Sequence, residues 1–386
     1  MLSFTGSVAL ALCLTADARV IEGNPKTGQA QAVVVANEPL LFTSQLLPAG
    51  PRFAPTPPDD QVHDVFRQLD GLLPNNRLVK LNVYVHEPSI TPLVTKQLVK
   101  RFAGEYQPAV TFVQTALPGG GVVVGLDAVM TVGRPPSEGM VRREKPAIKG
   151  QPAPAAHLPA MGVVYISGQA ERGDGTLADA TKRTMESLFN TLKFLEQQPS
   201  DVVHIKAFLT PMKDSAVAVK DMVAAFGDTV APPISLVEWK SSLPIEIEMV
   251  VASPLRADAP RIEFLTTPEM KASPVFARVT RINQPGQIFL GGLLGRVETP
   301  DSITETRETF TALKRITEAA GSDLRHLAKA TYYVADDDIS NRLNEIRTEL
   351  YDPERPPAAS KAMIIGTGQP PHRLTLDMIA VPKGGE

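Results

Sequence analysis

Three stretches of this chain share one pattern, and their spacing limits what it can fold into. Residues 327–337 read Leu-Ala-Lys-Ala-Thr-Tyr-Tyr-Val-Ala-Asp-Asp, a buried strand running into an acidic turn. Residues 78–87 (Leu-Val-Lys-Leu-Asn-Val-Tyr-Val-His-Glu) and 202–211 (Val-Val-His-Ile-Lys-Ala-Phe-Leu-Thr-Pro) superpose on it. Lys80, His204 and Lys329 then coincide, as do Tyr84, Phe208 and Tyr333, at offsets of 124 and 125 residues. Solenoid units repeat every 20–50 residues or so. The longer period here is that of a whole small domain, occurring three times.

The segments after each strand repeat as well. A helix-like segment comes first, at 95–106, 216–226 and 341–351. A proline step comes next, Gln107-Pro108-Ala109-Val110-Thr111, Ala231-Pro232-Pro233-Ile234-Ser235 and Arg355-Pro356-Pro357-Ala358-Ala359-Ser360. The last strand is apolar-acid-apolar each time, around Asp127, Glu248 and Asp377. The chain has 386 residues, and a domain takes about 100–200. Its 43% apolar and 21% charged residues suit packed domains and not a disordered chain.

These landmarks divide the chain. Residues 1–18 hold a short apolar run and a small-x-small Ala16-Asp17-Ala18 step, which resembles a secretory signal peptide, although no Lys or Arg lies near Met1. The expectation is an exported, periplasmic or extracellular protein, with a cytoplasmic one as the alternative. The single cysteine, Cys13, falls in that segment, so a cleaved chain carries no thiol. Residues 19–133, 158–256 and 257–386 are the three repeats. Residues 134–157 are a Pro-rich linker whose basic cluster, Arg142, Arg143, Lys145 and Lys149, reads as solvated because no aromatic residue interleaves it, the alternative being that part of it forms the first strand of the second repeat. In the first repeat, segments near 32–36 and 40–45 read as strands joined by the turn Asn37-Glu38-Pro39; 277–282 and 287–293 open the third. Ser302-Ile303-Thr304-Glu305 is a capping-box pattern.

Net charge is −3, which gives no general attraction to nucleic acid or anionic lipid. No apolar run approaches the ~20 residues of a membrane span. The six histidines show no metal-ligand spacing, Gly119-Gly120-Gly121 lacks the Lys-Ser/Thr of a phosphate loop, and no cofactor is expected.

The order of elements resembles the RidA/YjgF family of reactive intermediate deaminases, also called endoribonuclease L-PSP-like. The likeness is strongest in residues 313–335, with further similarity in Ser167-Gly168-Gln169 and Ile245-Glu246-Ile247-Glu248. It extends over nearly all of residues 19–382 as three divergent copies. The resemblance implies an α+β chain of three tandem chorismate-mutase-like domains, each a mixed sheet with two helices on one face. Because family members trimerise, it also implies an internal pseudo-trimer with ligand clefts between neighbours. Family deaminases hydrolyse imines and hold the substrate carboxylate on an arginine, which offers two parallel donors. Here that position is Val110, Ile234 and Ala359. The neighbouring hydroxyls Thr111, Ser235 and Ser360 remain as candidate substrate-binding residues, and Asp127, Glu248 and Asp377 as candidate catalytic acids able to activate water. The structural alternative for these acids is capping of backbone donors at a strand end.

Two functions of different kind are compatible with these residues. One is a divergent deaminase-like hydrolase of imine or carbonyl compounds. The other is a non-catalytic protein, a small-molecule binder or a scaffold. Endoribonuclease activity fits less well, given the acidic balance.

Overall fold

The computed structural model describes residues 18–49, 56–104, 106–133, 140–268, 271–296 and 301–384. Apart from Ala18, the leader-like segment lies outside the described residues.

One order of elements recurs three times. The first pass is β1 (Arg19–Asn24), β2 (Gln29–Val35), β3 (Leu40–Thr43), α1 (Pro58–Asp70), β4 (Asn76–Val85), α2 (Thr91–Phe102), β5 (Ala109–Gln114) and β6 (Val124–Val132). The second is β7 (Arg142–Arg143), β8 (Ala155–Leu158), β9 (Gly162–Gln169), α3 (Leu177–Phe194), β10 (Val202–Leu209), α4 (Ser215–Ala225), β11 (Ile234–Glu238) and β12 (Ile245–Ser253). The third is β13 (Ile262–Leu265), β14 (Val279–Ile282), β15 (Gln287–Leu290), α5 (Ser302–Ala319), β16 (Leu327–Val334), α6 (Asp337–Leu350), β17 (Ala358–Met363) and β18 (Leu374–Ala380).

Local chemistry sets the helix starts. α1 and α2 begin with proline in the first turn, where its missing N–H costs nothing. Thr176, Asp301 and Asp336 cap α3, α5 and α6 by accepting from Asp179 N, from Ile303 N and Thr304 N, and from Ile339 N. The expected Ser302–Glu305 box is not formed. Asp301 supplies the cap, and Glu305 turns inward, fully buried, to accept from the backbone of Arg373 (2.5 Å) and Leu374 (3.0 Å). Two buried backbone donors at the start of β18 hold that carboxylate more firmly than the end of its own helix could.

Each pass builds a four-stranded unit, β5-β4-β6-β3, β11-β10-β12-β9 or β17-β16-β18-β15. The first pair of each is parallel and the rest antiparallel. Helix pairs α1–α2, α3–α4 and α5–α6 pack on the three units, and each interface has its own apolar core, around Phe66 and Met130, around Leu188 and Met249, and around Phe310 and Met378.

The remaining strands do not stay in their own unit. β8 pairs with β3 (Leu40↔Leu158), β14 with β9 (Val279↔Ile166), and β2 with β15 (Gln287↔Val35). Each strand is thus handed to the unit of the preceding pass, with the first going to the third. The sequence pattern places each opening pair of strands in the sheet of its own repeat, and the structure corrects this. The link 36–39, ending in Pro39, is not the two-residue Asn-Gly or Gly-X turn that folds adjacent strands onto each other. The twelve-stranded sheet is therefore two six-stranded assemblies, joined where Ala30 bridges Ala109, beside a third assembly that forms the six-stranded sheet.

The basic stretch takes part in this hand-off. Arg142 and Arg143 form β7, which pairs with β8. Arg143 is not solvated. Its guanidinium donates to the carbonyls of Val202, Val230 (2.6 Å) and Pro199 and lies 5.0 Å from the Phe226 ring centroid. Arg143→Ala should lower stability by about 2–4 kcal/mol, because buried carbonyls lose charged donors. Arg143→Lys should recover less than half, lacking the fork that reaches several acceptors. Urea denaturation checks this; a loss under about 0.5 kcal/mol, the usual range for an exposed side chain, contradicts it.

Candidate functional site

The three landmark strands meet. Each carries a β-bulge at the matching place, between Leu78 and Lys80, Val202 and His204, and Leu327 and Lys329. A bulge re-aims the side chains beyond it. Past the bulge, each unit presents one row across its sheet: Thr111–Asn82–Asp127, Ser235–Lys206–Glu248 and Ser360–Thr331–Asp377. The sequence-predicted acids and hydroxyls thus occupy three equivalent rows.

The acids converge on a small central cavity of about 50 Å³, which Lys80, His204, Lys206 and Lys329 also line. All three acids are buried. Lys80 Nζ lies 2.9 Å from Asp377 and donates to Thr111 Oγ1 (2.5 Å). Lys329 Nζ lies 2.7 Å from Glu248, which also accepts from Ser360 Oγ (2.9 Å). Asp127 accepts from Asn82 Nδ2 (2.8 Å) and Tyr84 OH (2.5 Å). His204 Nε2 is 3.1 Å from Ser235 Oγ. Two of the carboxylates, Asp377 and Glu248, are therefore matched by an ammonium from another unit.

The electrostatics are set by burial and pairing. Burial alone would raise the Asp127 and Asp377 carboxyls, but Lys206 and His204 around the first, and Lys80, Lys206 and Lys329 around the second, bring both below the usual range. Burial pulls His204 down to about 4, so it is neutral at pH 7. Among the described residues no three His, Asp or Glu side chains are placed to share a metal ion. The cluster is internally neutralised.

Outside it, the units meet at three further places, each beside one of the expected arginine positions. At the first, Gln45 N donates to Ile234 O (3.1 Å), and the Gln45 amide itself fills the space, bonding to Leu236. Position 125, which faces it, is glycine. At the second, Gly168 N donates to Ser360 Oγ (3.1 Å) beside Ala359. A Cβ on Gly168 would sit 1.9 Å from Glu246 Oε1, so only glycine lets this carboxylate approach. At the third, Gly292 N donates to Val110 O (2.8 Å), and Thr375 stands in the place of Glu246.

Glu246 is the acid that sequence reasoning missed. It is part of the quoted Ile-Glu-Ile-Glu step, but residues two apart on a strand share a face, and composition does not say which reaches the cleft. Its Oε1 is buried with no hydrogen-bond partner among the described residues. Burial, aided by the neighbouring Glu248, raises its pKa from 4.5 to about 7, against the pull of Ser360 and Arg278. Arg278, also missed, stacks 4.9 Å from the Phe276 ring centroid, and its Nε likewise has no partner among the described residues. Glu246 can thus hold a proton near neutral pH, within the electrostatic reach of Arg278.

No family model and no curated protein matches this chain. Solved structures do. A YjgF-family protein from Neisseria meningitidis is 22% identical over 32% of this chain and 97% of its own, with a TM-score of 0.25. A member of the YjgF/YER057c/UK114 family from Mycobacterium tuberculosis is 18% identical over 25% and 78%, with a TM-score of 0.23. RidA from an Antarctic Psychrobacter species is 20% identical over 25% and 80%, with a TM-score of 0.23. This chain is thus similar, over part of its length, to structures of the YjgF/RidA family.

The raised Glu246 pKa has a consequence for stability. Between pH 4.5 and about 7 the folded chain holds a proton that the unfolded chain has lost, so this group makes stability fall as pH rises through that window. Glu246→Gln should remove the fall. It should match the native chain below pH 4.5 and be the more stable by up to about 3 kcal/mol above pH 7. Denaturation midpoints across this range check it; a difference that does not change with pH contradicts it.

Proposed function

We propose that the chain is a divergent relative of the RidA/YjgF deaminases whose three tandem domains close into an internal pseudo-trimer. The strand hand-off and the central cluster, to which all three units contribute, support that arrangement. We propose further that a small molecule binds in the Glu246 cleft and that Glu246 serves there as general base and acid in hydrolysis of a C=N bond. The observation that carries this is the half-buried Glu246, whose Oε1 is itself buried and unpartnered among the described residues and whose pKa is raised to about 7, where proton transfer at neutral pH is most effective. Water would lose a proton to Glu246 as its oxygen bonds to carbon and the C=N pair moves to nitrogen, which takes that proton to give a carbinolamine. Glu246 then takes the hydroxyl proton as the C=O forms and the C–N bond breaks, and passes it to the departing amine. Asp127, Glu248 and Asp377 serve to bind the units together, because their oxygens are already engaged.

The substrate differs from that of the family's deaminases. Burying a carboxylate without a partner costs several kcal/mol, and Val110, Ile234 and Ala359 offer none. Arg278, the residue before β14, is the cation that acts on Glu246. A non-catalytic binder is the second reading. It is favoured by the absence of an acid at the other two clefts, where Gly125 and Thr375 stand.

Imines made in place by an amine oxidase (no carboxylate) and by an amino-acid oxidase (with carboxylate) separate these readings. Native protein should speed decay of the first kind, and Glu246→Gln should lose at least tenfold of that rate, in line with a general acid–base contribution of about 10²–10⁴. Carboxylate imines should be hydrolysed at least tenfold more slowly than by an active family deaminase, the cost of losing a charged hydrogen-bonded pair. Ala359→Arg should narrow that gap. No acceleration with either imine, or a Gln variant as fast as native, removes the hydrolase reading and leaves the binder.

A further inference from the structure

The third cleft has a different chemistry. A cavity of about 240 Å³ opens between the β1–β2 hairpin, β5, the residues after β15 and the loop before β18. Its polar lining is Asn24, Thr27, Gln29, Gln31 and Gln369, against Gly291, Gly292 and Val110. Among the described residues that line it, none is charged and none is aromatic. Gln29, Gln31 and Gln369 make no side-chain hydrogen bond to any other described residue, so three primary amides stand ready with both donors and acceptors. The two glycines bring backbone to the wall: a Cβ at Gly291 would meet Ala30 O at 2.9 Å, and one at Gly292 would meet Thr375 Oγ1 at 2.9 Å. The space is enough for a small ring.

We propose that this cavity binds an uncharged, planar ligand of the amide, imide or ureide class. Amide side chains match such a molecule edge to edge, because each supplies an N–H beside a C=O. A carboxylate or an ammonium would enter without a counter-charge and lose its hydration. A sugar would find no aromatic face to lie on. The cavity does not include Glu246, so the proposal stands apart from the hydrolase reading.

Hydantoin and its 5-acetic acid derivative, a neutral ring and the same ring with a carboxylate, are suitable probes for titration of the full chain by NMR or calorimetry. Hydantoin should bind saturably with Kd of the order of 1 mM or tighter, and the acid at least roughly tenfold more weakly. Paired Gln29→Leu and Gln369→Leu changes lie on half-buried positions outside the cores. They should weaken hydantoin roughly tenfold while leaving the melting temperature unchanged. If that pair fails to fold, Gln31→Leu, at an exposed position of the lining, is the second test, and it should weaken hydantoin severalfold. No saturable hydantoin binding, a native preference for the acid, or binding indifferent to both sets of substitutions overturns the proposal.

Discussion

Three ammonium groups and three carboxylates at the centre of this molecule cannot be taken out of water one at a time. Each would cost several kcal/mol unless paired and hydrogen-bonded. Lys80 meets Asp377 and Lys329 meets Glu248, while Lys206 lies 4.0 Å from Asp377 and also acts on Asp127. In every case the acid belongs to one unit and the lysine to another. A unit folded alone would leave its charges uncompensated at an open face. The cluster therefore makes closure of the three units part of folding. Apolar layers cover it at both ends. Val79, Val203 and Ala328 pack with Phe42 and Phe289 on one side, and Tyr84, Phe208 and Tyr333 with Trp239 on the other.

Strand exchange enforces the same closure through the backbone. Hairpin strands β2, β8 and β14 cover the β15, β3 and β9 edges of neighbouring units, which would otherwise present unpaired N–H and C=O groups. The chain leaving those edges then forms the clefts, so each cleft is built by two units. The three units differ where they meet: Gln45 lies at one junction, Glu246 at another, and amide side chains line the cavity at the third.

Much of this could be read in the sequence. The coincidence of Lys80, His204 and Lys329, and of Tyr84, Phe208 and Tyr333, marks residues that do face one another, because equal places in equal units fall at equal depth. The helices were legible from their apolar faces. The features that were not legible depend on partners distant in sequence. The bulges at 78–80, 202–204 and 327–329 shift which residues point inward without any glycine to announce them. The destination of β2, β8 and β14 is set by edges formed elsewhere in the chain. Glu305 resembles a capping residue until the start of β18 reaches it, and the roles of Glu246 and Glu248 separate only when Gly168 and Lys329 arrive beside them.

The dependence of the fold on charges shared between units is tested most directly by a double-mutant cycle on Lys80 and Asp377, which sit in β4 and β18 and are 2.9 Å apart. Lys80→Met and Asp377→Asn should each cost about 3–5 kcal/mol, since each strands a buried partner. The double variant should lose about 2 kcal/mol less than the two losses together, a coupling within the range found for residues in contact. Losses that add to within about 0.5 kcal/mol, as those of independent sites do, would show that these two units do not neutralise one another and would contradict the account.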